Sequence, residues 1–195
     1  MIKIIKKEDL ETKEWSGGTT TQLYIYPEDA LYEKRDFLFR ISTATVDIEE
    51  SIFTKLPGIS RCIMPLEGEM ELNHKGHYAV TLKKFETDSF EGDWETTSKG
   101  KVKDFNLMTS KGIWGYIGST ILKENDVFST KDMKDFTTLA IYIQKGNIKI
   151  ESQKEHIYVS EGDFVIYHRN RSKNINPTKI IGKNNAEIAI AILRK

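Results

Sequence analysis

Cysteine is almost absent from this 195-residue chain. The single thiol, Cys62, excludes an internal disulfide and a thiolate-bound zinc, and it fits a reducing compartment. Histidine is nearly as scarce: His74, His77, His156 and His168 are all there are. A metal centre of imidazoles and carboxylates needs several ligands aimed at one point. His74 and His77 fall instead in Asn73-His74-Lys75-Gly76-His77, a hairpin-turn sequence, and are expected to point to solvent. His156 is expected in another turn, and His168 follows an apolar strand. No metal and no cofactor is therefore expected. Neither sign of charge is in excess, with 29 lysines and arginines against 29 aspartates and glutamates. This balance removes any global electrostatic reason to expect nucleic acid or an anionic membrane as partner. The local cluster Arg169, Arg171 and Lys173 reads as a solvated group of charges. No apolar run approaches the roughly 20 residues of a membrane helix. The opening MIKIIKKEDL lacks an apolar signal core. A cytoplasmic location is expected.

Helical periodicity is missing as well, beyond one short turn expected over Lys6 to Leu10. What the chain has is period-2 alternation, as in Glu69-Met70-Glu71-Leu72 and Asn147-Ile148-Lys149-Ile150-Glu151. Turn signals punctuate it: Pro57-Gly58, Glu67-Gly68, Lys75-Gly76, Glu91-Gly92-Asp93, Lys145-Gly146 and Glu161-Gly162-Asp163. Many short strands with glycine turns read as an all-β barrel or sandwich. The order also repeats. Residues 66–93 and 143–163 each run from an apolar strand through a glycine turn, an alternating strand and a polar turn to Glu-Gly-Asp. That order reads as a cupin barrel, and its repetition predicts a bicupin, two tandem RmlC-like β-barrels. Residues 1–14 are a lead-in, 15–112 barrel one, 113–136 a connector and 137–195 barrel two.

The informative residues are polar ones that interrupt apolar strands. In Phe37-Leu38-Phe39-Arg40-Ile41-Ser42, alternation sends Arg40 and Ser42 to one face, opposite Phe39 and Ile41. A buried arginine costs several kcal/mol unless paired. Arg40 is thus either a rim or structurally paired arginine, or an anion-binding one whose planar fork suits a carboxylate. Arg61 opens the apolar run Cys62-Ile63-Met64-Pro65-Leu66 in the same manner. Asn106 lies between Phe105 and Leu107 and faces away from both. It either satisfies backbone groups or meets a ligand. The stretch Trp15-Ser16-Gly17-Gly18-Thr19-Thr20 has two readings. It is a glycine bulge that bends the strand onto the barrel, or it frames a small polar ligand with an aromatic lid, close backbone and hydroxyls.

Several motifs in order resemble the HutD/Ves family. They are Trp15-x-Gly17-Gly18-x-Thr20, Tyr26-Pro27, Phe39-Arg40-Ile41-Ser42-x-Ala44, Phe53-x-x-Leu56-Pro57-Gly58-x-x-Arg61, Leu66-x-Gly68, Phe90-x-Gly92-Asp93 and Asp104-Phe105-Asn106-Leu107-Met108. The resemblance covers about residues 10–120. It departs where family members read Trp-x-Asn-Gly-Gly-Gly, since Ser16 replaces the asparagine and one glycine is missing. The resemblance implies a bicupin of a bacterial cytoplasm, linked in some members to histidine utilisation and in another branch to stress. It also implies a binding or regulatory role toward a small carboxylate such as formylglutamate or urocanate, without an established enzyme activity. The expected ligand site is Trp15, Gly17, Gly18, Thr20, Arg40, Ser42, Arg61 and Asn106 in barrel one. Barrel two is expected to be packed solid by Ile141, Ile143, Ile148, Ile150, Val165, Ile188, Ile190 and Ile192. Two alternatives stand beside this reading. One is a metal-independent isomerase or epimerase, although Glu67 and Glu69 read as a solvated face and Asp93 as a turn residue. The other is an interaction protein that pairs through strand edges, for example as a homodimer.

Overall fold

The computed structural model describes residues 2–130, 133, 136–151, 156–169 and 179–194. Arg171 and Lys173 of the basic cluster lie outside the described residues. In chain order the strands are β1 (Ile2–Ile5), β2 (Glu11–Trp15), β3 (Gly18–Tyr26), β4 (Phe39–Val46), β5 (Glu50–Ile52), β6 (Ile59–Glu67), β7 (Met70–His74), β8 (Tyr78–Leu82), β9 (Asp88–Glu91) and β10 (Thr96–Lys99). There follow β11 (Val102–Ser110), β12 (Trp114–Leu122), β13 (Val127–Ser129), β14 (Thr138–Lys145), β15 (Asn147–Glu151), β16 (His156–Ser160), β17 (Phe164–His168), β18 (Lys179–Gly182) and β19 (Ala186–Arg194). Short 3-10 turns occur at Lys7–Asp9 and Tyr32–Lys34, and no α-helix occurs among the described residues. Two compact units result, Leu10–Gly118 and Met1–Asp9 with Ser119–Lys195.

The Leu10–Gly118 unit pairs a six-stranded sheet, ordered β2-β3-β4-β11-β6-β9, with a four-stranded sheet, ordered β5-β10-β7-β8. Side chains of both sheets share one core: Val46, Ile63, Phe90 and Val102 from the first meet Met70, Leu72 and Leu82 from the second. Each such burial contributes about 1.5–3 kcal/mol before chain entropy is counted. The alternation Glu69-Met70-Glu71-Leu72 supplies the inward methionine and leucine, and the glutamates face water.

The other unit repeats the arrangement, with a five-stranded sheet ordered β1-β17-β14-β19-β12 and a four-stranded one ordered β13-β18-β15-β16. Ile141, Ile143, Ile148, Ile150, Val165, Ile188, Ile190 and Ile192 all join its hydrophobic core. The turn glycines of the sequence repeat, Gly68 and Gly146, adopt matching left-handed φ of 79° and 77°. The N-terminal strand is part of this unit, with Ile2 opposite Tyr167 and Ile5 opposite Phe164. Asp163 pins the chain that follows it. Its carboxylate accepts the backbone N–H of Lys7 and of Ser160, both at 3.1 Å, and meets Lys6 Nζ at 2.7 Å.

The expected all-β fold is present, whereas the detail of two tandem β-barrels is not confirmed by the sheets of the described residues. Among the described residues no sheet closes on itself, and each unit is a pair of sheets packed through their side chains. Alternation dictates that one face of a strand is buried, but it does not dictate that the outermost strands of a sheet bond to each other. Closure here comes from side-chain packing between sheets.

Candidate functional site

Four adjacent strands of the six-stranded sheet set the site. Across β3, β4, β11 and β6, three rows of residues stand in register: Thr20, Ala44 and Asp104; Gln22, Ser42 and Asn106; Arg40, Met108 and Arg61. Because side chains alternate, these rows share one face. The intervening Ile41, Phe105 and Leu107 are fully buried on the other. The polar face lines a cavity of about 410 Å³, within the range of small-molecule sites. Tyr32, Glu33 and Phe53 reach its wall from outside these four strands, and Trp15, 40% exposed, stands at its edge.

Arg40 is held in place. Its Nε donates to Gln22 Oε1 at 2.9 Å and its Nη1 to Ser42 Oγ at 3.1 Å, while the guanidinium lies 4.5 Å from the centre of the Tyr32 ring. Burial pulls its pKa below the usual arginine value, and the Tyr32 and Glu33 side chains oppose that shift. Arg61 differs. It is 8% exposed, its guanidinium stacks 4.5 Å above Phe53 and 5.3 Å from Phe90, and its Nε has no hydrogen-bond partner. Burial lowers it to about 10, so it stays charged at neutral pH. Asp104 is 4% exposed, and its Oδ1 also lacks a partner. Burial raises this carboxyl to about 7 against the charge of Arg61 and the backbone N–H of Ala44. The Oδ1 of Asn106 is a third buried atom without a partner. One donor and two acceptors without partners thus belong to residues that line one cavity. Buried polar groups are normally satisfied, so this concentration points to a polar ligand.

The structure brings together Trp15, Thr20, Arg40, Ser42, Arg61 and Asn106 of the residues expected from sequence. Gly17 and Gly18 are not in the cavity wall. They belong to the hairpin between β2 and β3, in which Trp15 pairs with Gly18 around Ser16 and Gly17. A side chain at Gly17 would overlap the Trp15 ring, and one at Gly18, with φ of 146°, would overlap the Thr45 carbonyl. The pair therefore works by bringing Trp15 back over the hairpin. The bulge in β3 lies further on, between Gln22 and Tyr24.

Sequence reasoning missed Asp104, Gln22, Tyr32 and Phe53. Asp104 carried a signal, since it alternates with Asn106 and Met108 along β11. Phe53 stood in the family motif without a role assigned to it, and Tyr32 carried no signal, because tertiary folding alone delivers it to the wall.

His74 corrects a second expectation. It is 1% exposed rather than solvent-facing. Its Nδ1 is 2.9 Å from Thr96 Oγ1 and its Nε2 2.9 Å from Asp88 Oδ2, and Tyr78 donates to the other oxygen of Asp88 at 2.9 Å. The strand extends two residues into the turn sequence, through Asn73 and His74, and polar partners from β9 and β10 offset the burial. Among the described residues, no group of three or more histidine, cysteine, aspartate or glutamate side chains could hold a metal ion. No helix of the described residues is long and apolar enough to cross a membrane.

A family model described as HutD matches residues 7–182. Curated protein sequences gave no match. Among solved structures, the chain is similar to PA5104, a conserved protein of unknown function from Pseudomonas aeruginosa PAO1. The TM-score is 0.84 at 20% identity, with 100% of both chains covered. It is similar to HutD from Pseudomonas fluorescens SBW25, with a TM-score of 0.74 at 20% identity, covering 100% of this chain and 98% of that one. It is also similar to the bacterial pirin YhhW in complex with nickel(II) from Escherichia coli. There the TM-score is 0.69 at 10% identity, with 98% of each chain covered. At these identities the likeness is one of fold, an all-β fold shared with cupin and pirin proteins.

Proposed function

Because this chain belongs to the HutD family, we propose that it binds a small carboxylate metabolite in the cavity of the Leu10–Gly118 unit, as a regulator of histidine utilisation. The observation that carries the reading is Arg61: a buried, charged guanidinium whose Nε is unpartnered, facing a cavity that a second arginine shares. An unpaired buried cation is unfavourable by several kcal/mol. A carboxylate matches the guanidinium fork in charge and geometry. Formylglutamate and urocanate both combine a carboxylate with an N–H, and an N–H suits the open Oδ1 of Asn106.

Titration calorimetry of the protein with formylglutamate, urocanate and other small carboxylates tests the reading. Binding is expected for at least one of them, weakened by about 2–5 kcal/mol in Arg61→Ala. No heat with any carboxylate would sink it.

A second reading rests on Asp104. A carboxyl titrating near neutrality beside a ligand is suited to general acid–base chemistry, which fits a metal-independent isomerase or epimerase. Proton–deuterium exchange at the α-carbon of a bound ligand separates the two. Exchange supports catalysis, and its absence in a saturated complex supports binding alone.

A further inference from the structure

We propose that Asp104 is itself a ligand-binding residue that acts as a carboxylic acid, taking up a proton from solvent as an anionic ligand enters and donating it in a hydrogen bond to the ligand carboxylate that Arg61 holds. The inference rests on the carboxylate-binding reading above and adds a residue, a protonation state and a direction of pH dependence to it.

The geometry is the starting point. Asp104 lies on β11 in the row of Thr20 and Ala44, four residues before Met108, and lines the same cavity as both arginines. Its Oδ1 is buried and has no donor. A buried carboxylate oxygen without a donor is a poor home for negative charge. The same oxygen carrying a proton becomes a donor on a residue of the cavity wall. Two readings of the wall follow, one for each protonation state. Ionised, Asp104 leaves the buried wall with two positive charges and one negative; protonated, it leaves the two positive charges and an added hydrogen-bond donor.

Every charged or titratable side chain around the cavity is accounted for. Arg40 comes from β4 and Arg61 from β6; Tyr32 and Glu33 come from the 3-10 turn; Glu11, Lys13 and Glu14 come from β2. The rim carries three glutamates and one lysine, with Lys13 Nζ 3.6 Å from Glu11 and 3.5 Å from Glu33, and these exposed charges are screened by solvent. The deep charges are the two arginines and Asp104. A ligand carboxylate entering among them places a second carboxylate in a space already poor in water. Two carboxylates sharing such a site do not both stay ionised, and the pKa of one rises. Burial has already brought Asp104 to about 7 in the free protein, so Asp104 is the group that takes the proton.

The sign follows from linkage. The complex binds more protons than the free protein and ligand, so affinity falls as pH rises above the titration of free Asp104. The fall is up to tenfold per pH unit. Below that titration Asp104 is already protonated, and affinity is flat with pH.

Two measurements test this on the intact protein. The first needs no ligand: the Asp104 carboxyl carbon is followed by NMR against pH in protein labelled at aspartate, with Asp104→Asn identifying the signal. Titration near neutrality is expected, and a midpoint below pH 5 would overturn the proposal. The second is calorimetry with formylglutamate, whose own groups do not titrate near neutrality, at pH 7.5–8 in phosphate and in Tris. The difference in heat counts protons. Uptake approaching one proton per ligand is expected in the wild type. Asp104→Asn, which keeps a donor and loses the charge, is expected to bind with no proton uptake and no slope between pH 6.5 and 8.5. Binding without proton uptake by the wild-type protein overturns the role of Asp104 and leaves carboxylate binding intact. No binding of formylglutamate, urocanate or any other small carboxylate by the wild type at these pH values overturns both.

Discussion

Arg40 and Arg61 occupy the same register position on opposite sides of Met108, since β4 pairs Arg40 with it and β6 pairs Arg61 with it. Two strand spacings, about 10 Å, separate their backbones, and both side chains face one cavity. Their surroundings divide the work. Gln22 and Ser42 fix the Arg40 guanidinium, whereas Arg61 is steadied by the faces of Phe53 and Phe90 and keeps its Nε open. Aromatic faces hold a cation without consuming its N–H donors, which leaves those donors for a ligand.

Arg40→Ala is the direct test of this division. The substitution removes two hydrogen bonds to neutral partners and opens more of the cavity to water. Folding is therefore expected to survive, with secondary structure by circular dichroism unchanged. Affinity for the bound carboxylate is expected to fall by about 2–5 kcal/mol. A folded variant with unaltered affinity would make Arg40 a structural arginine of the sheet.

Much of this was readable in the sequence, for a definite reason. A charged residue inside an alternating apolar strand, such as Arg40 or Arg61, declares both its strand and its face, and register then does the rest. Asn106 was readable in the same way. Asp104 obeys the same alternation, but it stands near the start of its strand, where polarity has ordinary explanations. His74 was misread for the reverse reason. Lys75-Gly76 is a turn signal, and local chemistry says nothing of Thr96 and Asp88, which arrive from other strands to satisfy the imidazole. The same limit explains the barrels. Period-2 patterning reports which face is buried, and whether sheet edges join depends on strand pairings that no local pattern contains.

Gly18 of the β2–β3 hairpin and Gly58 before β6 yield a contrast in stability. Gly18 and Gly58 both have positive φ, but a side chain at Gly18 would meet the Thr45 carbonyl while one at Gly58 would enter open space. Gly58→Ala carries backbone strain alone, on the order of 1 kcal/mol. Gly18→Ala carries strain and a clash with a strand that cannot retreat, so a larger loss is expected in urea denaturation. Equal losses would mean that the Thr45 contact is relieved at little cost.

His74 and His77 lie three residues apart and are expected to behave very differently. His74→Ala removes the partner of Thr96 and Asp88 and opens a cavity against Phe90, whose ring centre is 4.5 Å away. A loss of about 3 kcal/mol or more is expected. His77 stacks on Trp94 at 3.8 Å but is exposed, and its replacement by alanine is expected to change stability by less than about 1 kcal/mol. Paired thermal and urea melts check the contrast, and similar losses for both would contradict the buried network.

Asp163 gives a stability change with a definite pH sign. Burial by itself would raise this carboxyl, but Lys6 and the backbone N–H groups of Ser160 and Lys7 outweigh it and hold the pKa below the ordinary aspartate value. A group whose folded pKa is depressed stabilises the protein above its unfolded pKa, near 4. That contribution is lost as pH falls through the folded value. Asp163→Asn is therefore expected to lower stability at pH 7 by about 1.5–3 kcal/mol, the range for hydrogen bonds to a charged group. The gap from wild type should then narrow below about pH 4. Lys6→Met should act more weakly, because the lysine side chain is half-exposed and such pairs contribute under about 1 kcal/mol. Urea denaturation at pH 7, 5 and 3 decides the matter. A gap that stays constant down to pH 3 would show that Asp163 acts through the shape of its hydrogen bonds and not through its charge.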